Sequence, residues 1–114
     1  MPSYRKSSVG DRGNISLDHV LDLISVTTTR DDLGQFIRKE IPYMVFCSKQ
    51  SIVRSEFNQA GQLGLKPDSM FLIDADSYGD EKLLDFENKR YSIYKTFQRS
   101  DGFIELYCEV KSGD

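Results

Sequence analysis

The last third of the chain limits the possible folds most. From Phe103 to Val110 the side chains alternate, with Ile104, Leu106, Cys108 and Val110 against Phe103, Glu105, Tyr107 and Glu109. A period of two belongs to an extended strand with one buried face. Two short extended runs precede it, Lys82 to Phe86 and Tyr91 to Phe97. The connections between the three, Glu87-Asn88-Lys89-Arg90 and Ser100-Asp101-Gly102, carry residues that accept positive φ in hairpin loops. The segment is expected to be an antiparallel meander, with one face in the core and the other partly wet.

Upstream, Val20 to Thr28 ends in a β-branched run and reads as a strand closed by the turn Arg30 to Gly34. Phe36 to Glu40 is expected as a short extended return and Ile41 to Arg54 as a long strand, Pro42 suiting its entry or an edge. In Asp68 to Asp76, Phe71, Ile73 and Ala75 alternate with Met70, Leu72 and Asp74; both faces are apolar at its start, which suits a central strand. One stretch breaks this pattern. In "SEFNQAGQLGLKP", Ser55 to Pro67, the apolar residues Phe57, Ala60 and Leu63 recur every three positions, as on one side of a short helix, before two glycines and a proline stop it. The expectation is therefore a mainly β fold, a small antiparallel β-barrel or sandwich of about six strands with one short helical or loop insert at 55–67. Residues 1–16 are expected as a flexible tail and 17–111 as a single domain.

At 114 residues a chain can bury roughly two thirds of its unfolded surface in one core without staples. Fifteen basic and 18 acidic side chains give a formal net charge of −3, the wrong sign for a protein that grips phosphate backbones. The longest apolar runs, Met44–Cys47 and Met70–Ile73, fall far short of the ~20 residues that span a bilayer, so no membrane partner is expected. The opening MPSYRKSSVG has no apolar stretch behind its charges, which implies synthesis in the cytoplasm. Cys47 and Cys108 lie in separate apolar segments without a CxxC pattern and read as buried, reduced thiols.

Few residues are spaced for chemistry. "DADSYGDEKLLD", Asp74 to Asp85, places Asp74, Asp76, Gly79 and Asp85 where a calcium loop wants them, but Tyr78 stands at a ligand position and the flanks read as strands. A charged turn with Gly79 in a left-handed conformation is the expectation, and no metal or other cofactor is assigned. Asp74, Asp76, Asp80 and Glu81 read as a solvated face rather than a hydrolytic pair. A Cys–His nucleophile would need His19, the single histidine, beside Cys47 or Cys108. No catalytic residue is assigned. Arg38, Lys39, Lys49, Arg54, Lys89 and Arg90, interleaved with Tyr43, Tyr91 and Tyr94, would form a face for single-stranded nucleic acid if the fold gathered them. That is the alternative function.

Four segments, read in order, carry a resemblance: "DHVLDLIS…DDLGQ", "KQSIVRSEFNQAGQLGLKPDSMFLI", "DSYGDEKLLDFENKRYSIYKTF" and "IELYCE". Together they resemble the head–tail joining, or head-closure, proteins of long-tailed bacteriophages and of prophages in Gram-positive bacteria, from about Asp18 to Glu109. The most specific pieces are Ser55-Glu56-Phe57 followed by Ala60, Gly64, Leu65 and Lys66, and the block Arg90 to Phe97. Departures fall at Ser77, Asp80, Lys95 and Phe97. The resemblance implies a non-enzymatic, structural virion subunit, a β-barrel that forms a ring beneath the portal and adaptor after DNA packaging. Such a ring closes the capsid exit and docks the tail. Implied partners are the portal or adaptor protein, the tail-completion protein and further copies of the chain, with genomic DNA passing the channel without tight binding. The isolated chain is expected as a monomer. On this reading Ser55, Glu56, Phe57, Ala60, Leu63 and Leu65 form a partner-facing element; the competing reading caps the domain's own barrel with them.

Overall fold

The computed structural model describes residues 15–111. Among them run β1 (His19–Arg30), β2 (Phe36–Gln50), α1 (Arg54–Gln62), β3 (Pro67–Asp74), a 3-10 turn (Ala75–Ser77), β4 (Leu83–Phe86), β5 (Lys89–Gln98) and β6 (Phe103–Val110). The six strands close into an antiparallel barrel in the order β1-β2-β3-β6-β5-β4. The expected class holds: mainly β, with one short helical insert.

Alternation builds the core. Leu21 and Leu23, Val45 and Cys47, Phe71 and Ile73, Leu84 and Phe86, Tyr91 and Ile93, and Ile104, Leu106 and Cys108 all face the barrel interior. Phe71 sits at its centre, 5.1 Å from the Phe86 ring and 5.3 Å from that of Tyr91. Burying each large apolar side chain contributes about 1.5–3 kcal/mol. β3 is central, as its two apolar faces imply. On its outer face Met70 and Leu72 join Phe103 in a second cluster, covered by Ile15, Leu17, Ile52 and Tyr107. Ile15 thus packs against the barrel although it falls in the expected tail of residues 1–16; residues 1–14 lie outside the described part.

Turn chemistry follows the residue types. The two-residue loop Glu87-Asn88 takes φ of 51° and 65° between Phe86 and Lys89, the left-handed pair a tight hairpin demands. Gly102 takes φ 94° in the β5–β6 turn. In the charged turn after β3 the left-handed residue is Asp80, at φ 66°, instead of Gly79. The Glu81 carboxylate accepts a bond from the Gly79 N–H at 2.9 Å, and Tyr78 donates its hydroxyl to the Glu81 carbonyl at 2.6 Å.

The main departure from expectation is β2. The two segments read as a short return and a later long strand are one strand, Phe36–Gln50, and Pro42 lies inside it. Pro42 is tolerated because β2 over Phe36–Cys47 pairs with β1 alone; β3 joins only at Ser48–Gln50. A proline with no N–H to donate fits a strand whose second side is unpaired. On the other side, β4 joins β1 only at Asp22–Ile24. The β1–β2 hairpin is therefore rooted in the barrel at its base and projects beyond it as a two-stranded arm. The extents of 56 × 38 × 24 Å and the radius of gyration of 16.1 Å reflect this, against ~13 Å for a compact chain of this length.

Candidate interaction surfaces

Two elements stand out from the barrel: the insert around α1 and the arm. The sequence puts Phe57, Ala60 and Leu63 on one side of the insert. The structure divides them. Inward-facing positions on α1 are Glu56 and Ala60, four apart and both buried, while Phe57 is 53% and Leu63 78% exposed. Ser55 is exposed and Leu65 half-buried. The helix ends because Gly64 takes φ 83°, which lets the N–H of Leu65 reach the carbonyl of Ala60 and the N–H of Gly64 reach that of Gly61, both at 3.0 Å. This pair of bonds is a Schellman stop, and it leaves Leu63 outside.

Besides the buried Ala60, polar contacts hold α1 to the barrel. The buried Glu56 carboxylate accepts a bond from the Tyr94 hydroxyl at 2.9 Å and pairs with the Lys95 ammonium. Tyr94 and Lys95 are consecutive, and consecutive strand residues ordinarily point to opposite faces. They converge because the β5–β6 register shifts between Ile93 and Lys95, making Tyr94 the extra residue of a β-bulge. The Lys95 ammonium also lies 4.5 Å from the centre of the Tyr107 ring. Burial, and then the bond to Glu56, push the Tyr94 phenol above its ordinary range; burial and the bond to Glu105 do the same to Tyr107. Glu56 is thus an internal anchor. Phe57 and Leu63 are the large apolar side chains of the insert that lie open. Sequence spacing could not separate these roles, because the charged residue it would assign to solvent is the buried one.

The arm is the larger apolar surface, and its role was not foreseen from the sequence. Pairing Leu23 with Tyr43, Ser25 with Ile41 and Thr29 with Ile37 continues the core-facing side of the hairpin beyond the barrel, where Tyr43, Ile41 and Ile37 lie open. The opposite side shows Phe46, Met44, Val26 and Phe36. At the tip the Asp31 carboxylate accepts bonds from the N–H groups of Leu33 (2.9 Å) and Gln35 (2.8 Å), and Gly34 takes φ 81°. This ordered turn presents Leu33, 82% exposed, and Phe36, 70% exposed, with the Arg30 guanidinium 4.8 Å from the Phe36 ring centre. Near the arm's base, Arg90 donates two bonds of 3.1 Å to Glu40 and also holds Asp85. The same Arg90 contact holds the Glu40 carboxyl below its ordinary range.

The other candidate sites are not assembled as sets. Tyr91 is in the core, Tyr94 serves Glu56 and Arg90 is engaged by two carboxylates, so of the aromatics considered for base stacking only Tyr43 stands open. His19 opposes Cys47 across the β1–β2 ladder, but its ring stacks edge-on to Phe86 at 6.0 Å. Burial pushes the Cys47 thiol up to about 12 and raises Cys108 as well, the reverse of what an attacking thiolate requires. The two thiols are buried and not bonded to each other. Asp74 to Asp85 are spread over a strand end, the 3-10 turn and β4, and among the described residues no three His, Cys, Asp or Glu are grouped as a metal site would need.

No protein-family model matches the chain, and no curated protein matches it. Among solved structures, the solution structure of protein SF1141 from Shigella flexneri 2a is similar, with a TM-score of 0.69 and 11% identity over 84% of this chain and 94% of that one. At that identity the likeness concerns the fold alone.

Proposed function

We propose that this protein is a structural subunit of the head–tail junction of a long-tailed bacteriophage or prophage. It would be made in the host cytoplasm and built into the virion as a ring that closes the capsid exit and docks the tail. The observation that carries this reading is the apolar arm. Leu33, Phe36, Ile37, Ile41, Tyr43, Met44 and Phe46 are all exposed on one hairpin, and an apolar surface of that extent on a soluble domain marks a site of association. The resemblance running from Asp18 to Glu109 says with what: the portal or adaptor protein on one side and the tail-completion protein on the other. The net charge of −3 suits a ring that DNA must traverse without being held.

Phe57 of the insert and Phe36 of the arm supply the test. Both are more than half exposed, so Phe57→Asp and Phe36→Asp should each leave the melting temperature close to that of the parent. At least one should abolish co-purification with the portal–adaptor complex. Particles made without the protein should lose their DNA or fail to acquire tails. Normal virions in its absence would refute the proposal, as would turnover of a substrate by the purified protein. Salt-sensitive binding to oligonucleotides would replace it with the single-strand-binding alternative.

A further inference from the structure

The arm has two open edges as well as two open faces. On β1, pairing with β4 ends at Ile24, so Ser25–Arg30 has β2 on one side and, among the described residues, no strand on the other. On β2, Phe36–Ile41 likewise has only β1 beside it. The β2 edge stays open as far as Cys47, and Phe36–Ile41 is the part of it that stands level with Ser25–Arg30; the two edges lie on opposite sides of the arm and run antiparallel. We infer that the occupant of each edge is the arm of a second copy of this chain: the β1 edge of one copy pairs with the β2 edge of the next, extending the hairpin into one continuous antiparallel sheet. This rests on the ring reading above and specifies which surfaces make the ring.

Two observations favour this occupant. The first is geometry. With copies in the same orientation, the β2 edge of one arm meets a β1 edge of opposite direction, and each added copy exposes the edge it has just covered. Such a head-to-tail contact closes into a ring or grows as a filament, as its rotation angle dictates. At matched height Phe36 of one copy comes beside Arg30 of the next, repeating the contact they make within one arm.

The second is edge protection. Soluble proteins usually blunt a free edge with lysine or proline. β2 carries Arg38, Lys39 and Pro42, whereas β1 from Ser25 to Arg30 reads Ser-Val-Thr-Thr-Thr-Arg, with neither lysine nor proline. Pairing two β2 edges would set Arg38 and Lys39 against their own kind, and like charges facing each other across strands are unfavourable. Pairing β2 with β1 sets them against threonines.

The test uses the full chain with a single new cysteine per molecule, the native thiols being buried. Thr28 and Arg38 are partners within the arm, so the two substitutions are placed on separate molecules carrying tags of different size. Thr28→Cys and Arg38→Cys proteins are mixed, oxidised with diamide and resolved without reductant. The inference expects the mixed disulfide to exceed either homodimer several-fold, and the parent, a monomer when dilute, to sediment at rising concentration as a series of oligomers. Val26→Lys, on the open β1 edge, should abolish both results while leaving the melting temperature unchanged. Dominant Thr28→Cys homodimers would overturn the head-to-tail pairing in favour of a closed β1–β1 dimer. A parent that remains monomeric at every concentration and cross-links nowhere would overturn the inference altogether. Neither outcome touches the head–tail reading, which co-purification of the Phe57→Asp protein with the portal–adaptor complex tests independently, because Phe57 lies on α1 and outside the paired edges.

Discussion

Replacing Glu56 by alanine tests the claim that the insert is held by one buried carboxylate. Glu56 retains 9% of its side-chain exposure and carries two bonds that cross from α1 to β5. A hydrogen bond to a charged group is worth about 1.5–3 kcal/mol, which the Tyr94 hydroxyl loses. Lys95 is 45% exposed, so solvent screens its pairing and its share is at most ~1 kcal/mol. Alanine returns a few tenths of a kcal/mol of helix propensity and removes an acid from the first turn of α1, a loss of ~0.3–1 kcal/mol. The net expectation is a destabilisation of roughly 2–3 kcal/mol. At about 4 °C per kcal/mol for a domain of this size, that is a melting temperature lower by roughly 8–12 °C. Urea titration followed by circular dichroism, with the slope of the transition unchanged, reads the difference. Tyr94→Phe should cost about 1 kcal/mol and Lys95→Ala less, and the cycle joining Glu56→Ala to Tyr94→Phe should show coupling of about 1 kcal/mol. A loss below ~0.5 kcal/mol for Glu56→Ala would refute the anchor. So would a Lys95→Ala variant as unstable as Glu56→Ala, because the exposed ion pair would then be the dominant contact.

Two further expectations concern alkali and thiol chemistry. Tyr78, pushed up to about 12 mainly by burial, and Tyr91, Tyr94 and Tyr107, raised for the same first reason, are more readily protonated folded than unfolded. Their stabilising effect is complete below the ordinary phenol value near 10 and is lost as pH rises through the folded values, for Tyr78 between about 10 and 12. Denaturation midpoints should therefore fall above about pH 10, and Tyr94→Phe should flatten that fall; a midpoint unchanged at pH 11 would contradict the burial of these phenols. Cys47 and Cys108 should react with an aromatic disulfide reagent only at the rate of unfolding, and rapid labelling of the native protein would show that the barrel end near Cys47 opens locally.

Local patterning made the barrel legible. The alternation of Ile104, Leu106 and Cys108 and the Asn and Gly turns at Glu87-Asn88 and Gly102 each describe a backbone state that neighbouring residues enforce without help from the rest of the chain. The two apolar faces of Met70–Ile73 marked a strand covered on both sides, and of the two glycines expected to stop α1, Gly64 does so while Gly61 lies inside the helix. The insert was legible as a helix but not as a contact. Helical spacing ranks faces by hydrophobicity and assigns Phe57 to the protected side, whereas in the folded protein Glu56 takes that side because a bulge at Tyr94, distant in sequence, delivers a hydroxyl and an ammonium to it.

The arm needed the tertiary structure altogether. Val26, Ile37, Ile41 and Tyr43 are as apolar and as suited to a strand as their buried counterparts Leu21, Leu23 and Val45, and the two groups stand on the same pair of strands. Burial is decided by which length of the hairpin lies over the barrel interior: Leu21, Leu23, Val45 and Cys47 pack into the core cluster, whereas Val26, Ile37, Ile41 and Tyr43 lie outside it. The amino-acid order by itself determines that these residues form strands, because a strand's preference is local. Which length of strand finds a neighbour, and which is left with an open edge, is a property of the closed barrel, because that choice is made by long-range pairing between segments far apart in the chain.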